Sequence, residues 1–243
     1  MTTTLIIPGL QASGPAHWQT WFEERIPGTV RVIQRDWNKA DLAEWAGRVR
    51  RDITRTPGRL YLVAHSFGAL AAVQAAADHD DRIAGALFVA PADPDKFSVA
   101  DYLPATPLTF PSVVVASTSD PWMTLERAAH WADVWGSDLV NLGAAGHINA
   151  EAGFGPWPEG LALLERLRRR AEFATARQGL RGVSATLARR RIGTVGLASR
   201  STHARRFSDD RRDLKQAAAL LESAGWSVAA PRKSAPVTVA IRQ

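Results

Sequence analysis

The sequence contains no cysteine among its 243 residues. That absence excludes disulfide bonds and thiolate metal sites, and it is compatible with a reducing compartment. Long apolar runs are also missing, since no uninterrupted apolar stretch approaches the roughly 20 residues that a membrane-spanning helix needs. The first residues, MTTTLIIPGL, carry no basic segment, and their apolar run stops at Pro8. We therefore expect neither a signal peptide nor a membrane span, and we expect a cytoplasmic location.

Metal-binding and phosphate-binding patterns are absent from the sequence as well. No group of His, Asp and Glu residues has the spacing of metal ligands, and no glycine-rich phosphate loop occurs. The sequence therefore implies no metal ion and no other cofactor.

Positive charge is concentrated at one end of the chain. Residues 1–172 carry 16 Lys and Arg against 20 Asp and Glu, a net charge of −4, whereas residues 173–243 carry 14 against 4, a net charge of +10. We therefore predict a domain over residues 1–172 and a basic C-terminal extension over residues 173–243, with a helix at Arg212–Trp226 and a strand at Ala235–Ile241. A solvated or disordered extension is the commoner explanation for such a composition, and nucleic-acid binding is the alternative.

Short apolar runs alternate with amphipathic segments over the first 172 residues. The predicted strands are Thr4–Pro8, Thr29–Ile33, Arg59–Ala64, Ile83–Ala90, Ser112–Ser117 and Asp138–Leu142. The predicted helices are His17–Arg25, Ala40–Thr54, Phe67–Ala77, Pro121–Trp135 and Trp157–Glu172. This alternation predicts an α/β fold with a mostly parallel sheet of about six strands and helices on both faces.

The ends of the predicted strands are where a ligand is expected. In sheets of this kind, ligands bind beyond the carboxyl ends of the strands. The residues that directly follow each strand are therefore the candidates for a functional site. Residues 91–111 are rich in Pro, Asp and aromatic residues, and we expect them to form a loop or short cap over the same ends.

Ser66, in the stretch AHSFG, is the candidate nucleophile. The stretch is a close relative of G-x-S-x-G, in which a strained turn between a strand and a helix holds the Ser Oγ above the sheet. Ala64 replaces the first glycine and is still small. The helix that follows offers the backbone amide of Phe67 to a developing oxyanion. A plain strand-to-helix turn is the alternative, but the position between a predicted strand and a predicted helix favours a nucleophile.

His147 is the candidate base among six histidines. In this architecture the chain order is Ser, acid, His, and His147 follows the last predicted strand in a loop of small residues and glycines. His17 precedes Ser66 and fails that order, and His65 is expected to point away from the side on which Ser66 lies. The remaining histidines fall in charged, helical or basic segments: His79, His130 and His203.

Two acidic residues follow predicted strands, Asp93 and Asp120. Pro121 disfavours a helical backbone at Asp120 and can begin the next helix, which fixes the carboxylate at the end of its strand. Asp120 is also the nearer of the two to His147 in the chain. We therefore favour Asp120 as the group that orients the imidazole, and Asp93 is the alternative.

The loop IIPGLQASGPAHW, after the first predicted strand, is the candidate source of a second oxyanion donor. Its Pro-Gly turn can aim the amide of Leu10 or of Gln11 at the site, although a simple strand-ending turn is the alternative. Trp122, two residues past Asp120, and Trp157 are the candidate residues that line a substrate pocket.

Four stretches together resemble one known family: IIPGLQASGPAHWQTWFE, VAHSFGALAA, TSDPWM and GHINAEAGFGPWPEG. They are similar to the small serine hydrolases related to retinoblastoma-binding protein 9, the YdeN type. The resemblance covers residues 4–172 and implies a compact α/β-hydrolase domain that lacks the first two strands of its larger relatives. It implies Ser66 as the nucleophile, Asp120 as the acid and His147 as the base. The substrates that it implies are small esters or peptide-like acyl compounds.

Two functions of different classes are compatible with the sequence. The favoured one is a serine hydrolase that cleaves small ester or amide substrates through an acyl-enzyme intermediate. The alternative is a non-catalytic binding module of the same fold, whose basic tail contacts nucleic acid or an acidic partner.

Overall fold

The computed structural model of the chain describes residues 2–173, in which six parallel strands form a single sheet. The strands are β1 (Thr3–Ile7), β2 (Thr29–Arg31), β3 (Leu60–His65), β4 (Ile83–Val89), β5 (Ser112–Ala116) and β6 (Asp138–Asn141). Their order across the sheet is β2-β1-β3-β4-β5-β6, and every neighbouring pair is parallel. The predicted α/β fold is therefore confirmed for the part of the chain that the structure describes.

Helices cover both faces of this sheet. They are α1 (Trp18–Arg25), α2 (Leu42–Arg55), α3 (Phe67–Ala76), α4 (Leu125–Val134) and α5 (residues 158–173). Helices α2, α3 and α4 pack on one face, and α1 and α5 pack on the other. Two short 3-10 helices, Pro94–Phe97 and Ala100–Tyr102, lie in the segment between β4 and β5 for which a loop or cap was predicted.

The central strands have apolar side chains on both faces because both faces are covered by helices. Every residue of β3 and of β4 is buried. Along β3, Leu62 and Ala64 point into the cluster beneath α2 and α3, whereas Val63 between them points into the cluster beneath α1 and α5. Strands that are buried on both sides need this continuous apolar sequence. That requirement explains why the central strands could be predicted from the sequence alone.

Helix α4 begins later than its sequence pattern predicts. The predicted helix started at Pro121, but the observed helix starts at Leu125, and the Thr124 hydroxyl accepts a hydrogen bond from the Arg127 amide to cap it. The residues before the cap form a turn in which the Asp120 carboxylate accepts a hydrogen bond from the Trp122 amide at 2.9 Å. The apolar periodicity did not show that residues 121–124 lie in the turn and the cap before the helix and not in the helix itself.

The predicted C-terminal extension lies outside the described residues apart from Phe173, the last residue of the chain that the structure describes. The helix and the strand predicted within that extension are outside them as well, so these assignments stay predictions. Among residues 2–173, none of the helices is long and apolar enough to cross a membrane.

Candidate active site

Ser66 occupies a strained turn between β3 and α3. Its backbone has φ 54° and ψ −128°, a conformation that costs energy for any residue with a side chain. Neighbouring elements hold the turn in place, because the Ser66 amide donates to the Val89 carbonyl at 3.1 Å and the Ser66 carbonyl accepts from the Ala69 amide at 2.9 Å. The sequence motif predicts a strained turn at this position, and the structure has one.

Two glycines allow β1 and its loop to pack against this turn. A Cβ atom placed on Gly68 would lie 2.2 Å from the Pro8 carbonyl oxygen, and one placed on Gly9 would lie 2.7 Å from the Cβ of Ser66. Both distances are far below van der Waals contact. The small residue two positions after Ser66 is therefore required by the close approach of α3 to the end of β1.

We expect Gly68→Ala to destabilise the protein by about 1–3 kcal/mol, because the new methyl group would meet backbone atoms that have to move. The matched control is Gly47→Ala in the interior of α2, where an added Cβ meets nothing within 4 Å. The control should raise stability by about 0.5–1 kcal/mol, since alanine is the better helix former. Urea unfolding of both variants measures the difference, and equal stabilities would contradict the close packing described here.

The structure brings Ser66, His147 and Asp120 together at the carboxyl end of the sheet. The Nε2 atom of His147 is 2.9 Å from the Ser66 Oγ, and its Nδ1 atom is 2.9 Å and 3.0 Å from the two carboxylate oxygens of Asp120. Ser66 follows β3, Asp120 follows β5 and His147 follows β6. The Asp120 side chain is only 3% exposed and that of His147 is 11% exposed, so water competes little for these hydrogen bonds.

Asp93, the alternative acid, is engaged elsewhere. Its carboxylate accepts a hydrogen bond from the Asp95 amide at 3.2 Å, which caps the first 3-10 helix, and it pairs with the Arg127 guanidinium at 3.3 Å. The hydrogen bond between Arg127 and the Asp93 carboxylate raises the pKa of Arg127, and the charge of the nearby Asp95 carboxylate adds to this effect. Asp93 therefore ties the short helical segment to α4, and Asp120 is the carboxylate that contacts His147.

Hydrogen bonds between two loops hold Asp120 and His147 next to each other. The Ser117 hydroxyl accepts from the Ala145 amide at 3.0 Å, and the Ser119 hydroxyl accepts from the Gly146 amide at 2.9 Å. The loop after β5 is thus bonded to the loop after β6 immediately before Asp120 and His147. Sequence reasoning did not find these two serines, because nothing in the sequence shows that the two loops pair.

The peptide groups on both sides of Ile148 are also anchored. The His65 Nε2–H donates to the His147 carbonyl at 2.9 Å, and the Trp18 Nε1–H donates to the Ile148 carbonyl at 2.9 Å. These bonds support Ile148 in a left-handed conformation, with φ 47°. They also correct the expectation that His65 points away from the site, since its ring lies 4.8 Å from the His147 ring and lines the cleft described below.

Both neighbouring histidines are uncharged at neutral pH. Burial lowers the pKa of His65 well below its usual value. Burial, together with the Arg31 and His147 charges, lowers the pKa of His17 to about 4. A neutral His65 that donates from Nε2 has an unprotonated Nδ1. The two imidazoles that lie nearest to His147 in this site are therefore neutral.

The two predicted oxyanion donors are free to bind a ligand. Among residues 2–173, neither the Leu10 amide nor the Phe67 amide has an acceptor. Gln11, the alternative to Leu10, differs because its amide donates to the Trp37 carbonyl at 2.8 Å. Gly9, the residue before Leu10, packs directly against Ser66, which brings this loop to the nucleophile.

A cleft of about 550 Å³ opens above Ser66. Its walls are the loop of residues 10–17, the aromatic residues Phe97 and Trp122, and residues 147–151. Trp122 is 48% exposed, and its ring centroid lies 6.3 Å from that of His147, so it lines the cleft as predicted. Trp157 does not line it. Its side chain is buried in the core beneath α1, with its ring 5.3 Å from that of Trp18.

No metal site accompanies this cleft in the part of the chain that the structure describes. Within residues 2–173, no group of three or more His, Asp or Glu side chains is arranged to hold a metal ion. The arrangement contains instead a hydroxyl, an imidazole and a carboxylate in one hydrogen-bonded chain, together with two free backbone amides beside the hydroxyl. These are the groups that acyl transfer to a serine requires.

Comparison with known proteins gives the family. A sequence model described as serine hydrolase matches residues 4–166, which is most of the part that the structure describes. The chain belongs to this serine hydrolase family. A search of curated proteins gave no match.

Solved structures similar to this serine hydrolase include a YdeN-like hydrolase from Pectobacterium atrosepticum. The two sequences are 44% identical, and the match covers 72% of this chain and 92% of that one with a TM-score of 0.65. The ydeN gene product from B. subtilis is 18% identical, with 69% and 98% of the two chains covered and a TM-score of 0.58. Est1E from Butyrivibrio proteoclasticus, solved with bound ferulic acid, is 15% identical, with 72% and 90% covered and a TM-score of 0.54. The last two likenesses show the fold alone, and the first confirms the resemblance to the YdeN type.

Proposed function

We propose that this serine hydrolase cleaves small ester or amide substrates through an acyl-enzyme intermediate on Ser66. The observation that supports the proposal most strongly is the continuous hydrogen-bonded chain from the Asp120 carboxylate through His147 to the Ser66 Oγ. A serine hydroxyl is a weak nucleophile unless a base removes its proton as it attacks. In this site the base is already within hydrogen-bond distance of that proton.

His147 is the proposed general base and then the general acid. The Asp120 carboxylate accepts the Nδ1–H of His147, which leaves Nε2 unprotonated and directed at Ser66. When Ser66 Oγ attacks the substrate carbonyl, Nε2 takes the hydroxyl proton, and the adjacent carboxylate stabilises the imidazolium that forms. The Asp120 side chain is almost fully buried, so this stabilisation acts in a region of low dielectric.

The amides of Leu10 and Phe67 are the proposed oxyanion donors. The carbonyl oxygen becomes negatively charged when the Ser66 Oγ–carbon bond forms, and two preorganised N–H groups stabilise that charge. The tetrahedral species then breaks its bond to the alcohol or amine, which leaves with the proton held by His147. A water molecule then gives a proton to Nε2 as its oxygen attacks the acyl carbon. The bond between that carbon and Ser66 Oγ breaks, Nε2 returns the proton to Oγ, and the carboxylic acid is released.

The size and the lining of the cleft support a small substrate. The volume of about 550 Å³ is within the range of sites for small molecules. Phe97 and Trp122 supply an apolar wall, and the lining contains no Lys or Arg that would bind a carboxylate-bearing acyl group. Glu151 is the charged residue in the lining, so uncharged acyl groups fit this cleft better than anionic ones.

Rapid-quench kinetics with p-nitrophenyl acetate test the acyl-enzyme directly. We expect a burst of p-nitrophenol that approaches one equivalent of enzyme, together with a mass increase of one acetyl group on the quenched protein, because acylation by an activated ester outpaces deacylation. The control is Ser137→Ala, whose hydroxyl bonds to Ser112 at the other end of the sheet and should leave the burst unchanged. Steady turnover of p-nitrophenyl acetate without a burst and without any acyl adduct on the protein would contradict the proposed mechanism.

A further inference from the structure

His17 lies in the wall of the active-site cleft, although no step of the proposed reaction uses it. It belongs to the SGPAHW stretch of the loop after β1 and directly precedes α1. The residue is only 5% exposed, and its ring packs edge-on against the His65 ring with centroids 4.9 Å apart.

The hydrogen bond that His17 makes defines its tautomer. Its Nδ1 accepts a hydrogen bond from the Gln19 amide at 3.1 Å and therefore carries no proton. In a neutral imidazole the proton is then on Nε2. Within residues 2–173, Nε2 has no hydrogen-bond partner. Because Nδ1 is turned to the first turn of α1 while the ring lines the cleft, the Nε2–H group is the polar group that His17 presents to the cleft.

This donor stays neutral at the pH where a serine hydrolase works. The pKa of His17 is lowered to about 4, chiefly by burial, with the Arg31 guanidinium and His147 adding to the shift. Bonds to Glu23 and to the Ser13 carbonyl keep that guanidinium in place. A neutral N–H donor selects an acceptor oxygen on a ligand without requiring that the ligand be charged.

We propose that His17 is a substrate-binding residue whose Nε2–H donates to an oxygen that the substrate carries in addition to its scissile carbonyl. The inference rests on the proposed function, in which Leu10 and Phe67 already serve the scissile oxygen. It narrows the substrate class to small esters or amides with an ether, hydroxyl or second carbonyl oxygen in the acyl or the alcohol part. A substrate with a methylene group in place of this additional oxygen would leave the His17 Nε2–H buried without an acceptor. A site built to bind an oxygen therefore discriminates against a substrate that lacks it.

The variant His17→Asn separates this role from the structural one. Asn is among the best residues for the position before a helix, so its side-chain oxygen keeps the acceptor for the Gln19 amide. Its amide group is too short to replace the imidazole Nε2–H at the cleft. His17→Ala removes both functions, so it should lose the same selectivity as His17→Asn and, because the cap is lost as well, show a lower melting temperature than His17→Asn.

The test compares substrates that differ by one oxygen. On the acyl side the pair is p-nitrophenyl methoxyacetate and p-nitrophenyl butyrate, and on the alcohol side it is 2-methoxyethyl acetate and n-butyl acetate, followed in a pH-stat. For at least one pair, we expect His17→Asn to reduce kcat/KM about 3- to 10-fold more for the oxygen-bearing member than for its isostere, largely through KM. Comparing variant with wild type for each ester removes the difference in intrinsic reactivity between the esters.

Equal losses for both members of both pairs would overturn the role of His17. Labelling by a fluorophosphonate probe, which reports the reactivity of Ser66, distinguishes this failure from failure of the proposed function. If wild type and His17→Asn are both labelled while selectivity is unchanged, the inference about His17 is wrong and the proposed function stands. If the wild type is not labelled at all, the proposed function fails, and the inference fails with it.

Discussion

Ser66→Ala is expected to lower kcat for p-nitrophenyl esters by about a million-fold, because it removes the atom that forms the covalent intermediate. KM should change little, since the cleft walls and both oxyanion amides remain. The fold should also survive the change. A φ of 54° is as unfavourable for alanine as for serine, and backbone hydrogen bonds hold the turn in place. Steady-state kinetics with a melting curve measure all three quantities.

The control for this prediction is Ser137→Ala. Its hydroxyl bonds to Ser112 at the amino end of β5, far along the sheet from the cleft, and its loss should leave kcat at the wild-type level. A Ser66→Ala enzyme that keeps a tenth or more of wild-type kcat would show that another group attacks the ester. It would leave the strained turn at Ser66 as a structural feature without a catalytic role.

Asp120→Asn should lower kcat by about 10⁴-fold. An amide at this position can donate to Nδ1 of His147, which favours the tautomer whose proton is on Nε2 and faces Ser66. In that tautomer the imidazole cannot accept the serine proton. The size of the side chain is unchanged, so the stability of the fold should fall much less than the activity does. A pH–rate profile and an unfolding curve of the same preparation separate the two effects.

Asp93→Asn is the matched control, since both carboxylates follow a strand and the sequence left both open as the acid. Asp93 pairs with Arg127 and caps the first 3-10 helix, and asparagine can keep that cap. We expect a small loss of stability and a kcat close to that of the wild type. If Asp93→Asn and not Asp120→Asn produced the large loss, the assignment of the acid would have to be exchanged.

The sequence alone was sufficient to predict the strands of the sheet and to favour the three residues that meet at its carboxyl end. Strands buried on both sides must be apolar throughout, so β3, β4 and β5 could be recognised without any long-range information. Ser66 was identified by a local motif, and His147 by its place after the last strand. Each of these signals lies within a few residues of the feature that it predicts.

What the sequence did not reveal depends on contacts between distant segments. His65 was expected to face away because it neighbours Ser66, but its ring bonds to the His147 carbonyl, 82 positions further along the chain. Ser117 and Ser119 hold the His147 loop in a similar way. Trp157 was assigned to the pocket from its loop, yet the core beneath α1 encloses it. Such pairings arise only when the sheet is assembled.

In the proposed reaction Ser66 is activated by His147 and forms the covalent bond with the substrate. Treating the full chain with a fluorophosphonate probe and locating the modified residue by peptide mass spectrometry tests this activation. We expect a single adduct on the peptide that contains AHSFG, at Ser66, formed at a rate that falls by orders of magnitude in His147→Gln. An unmodified Ser66 after prolonged treatment, or an adduct that forms equally fast without His147, would contradict it.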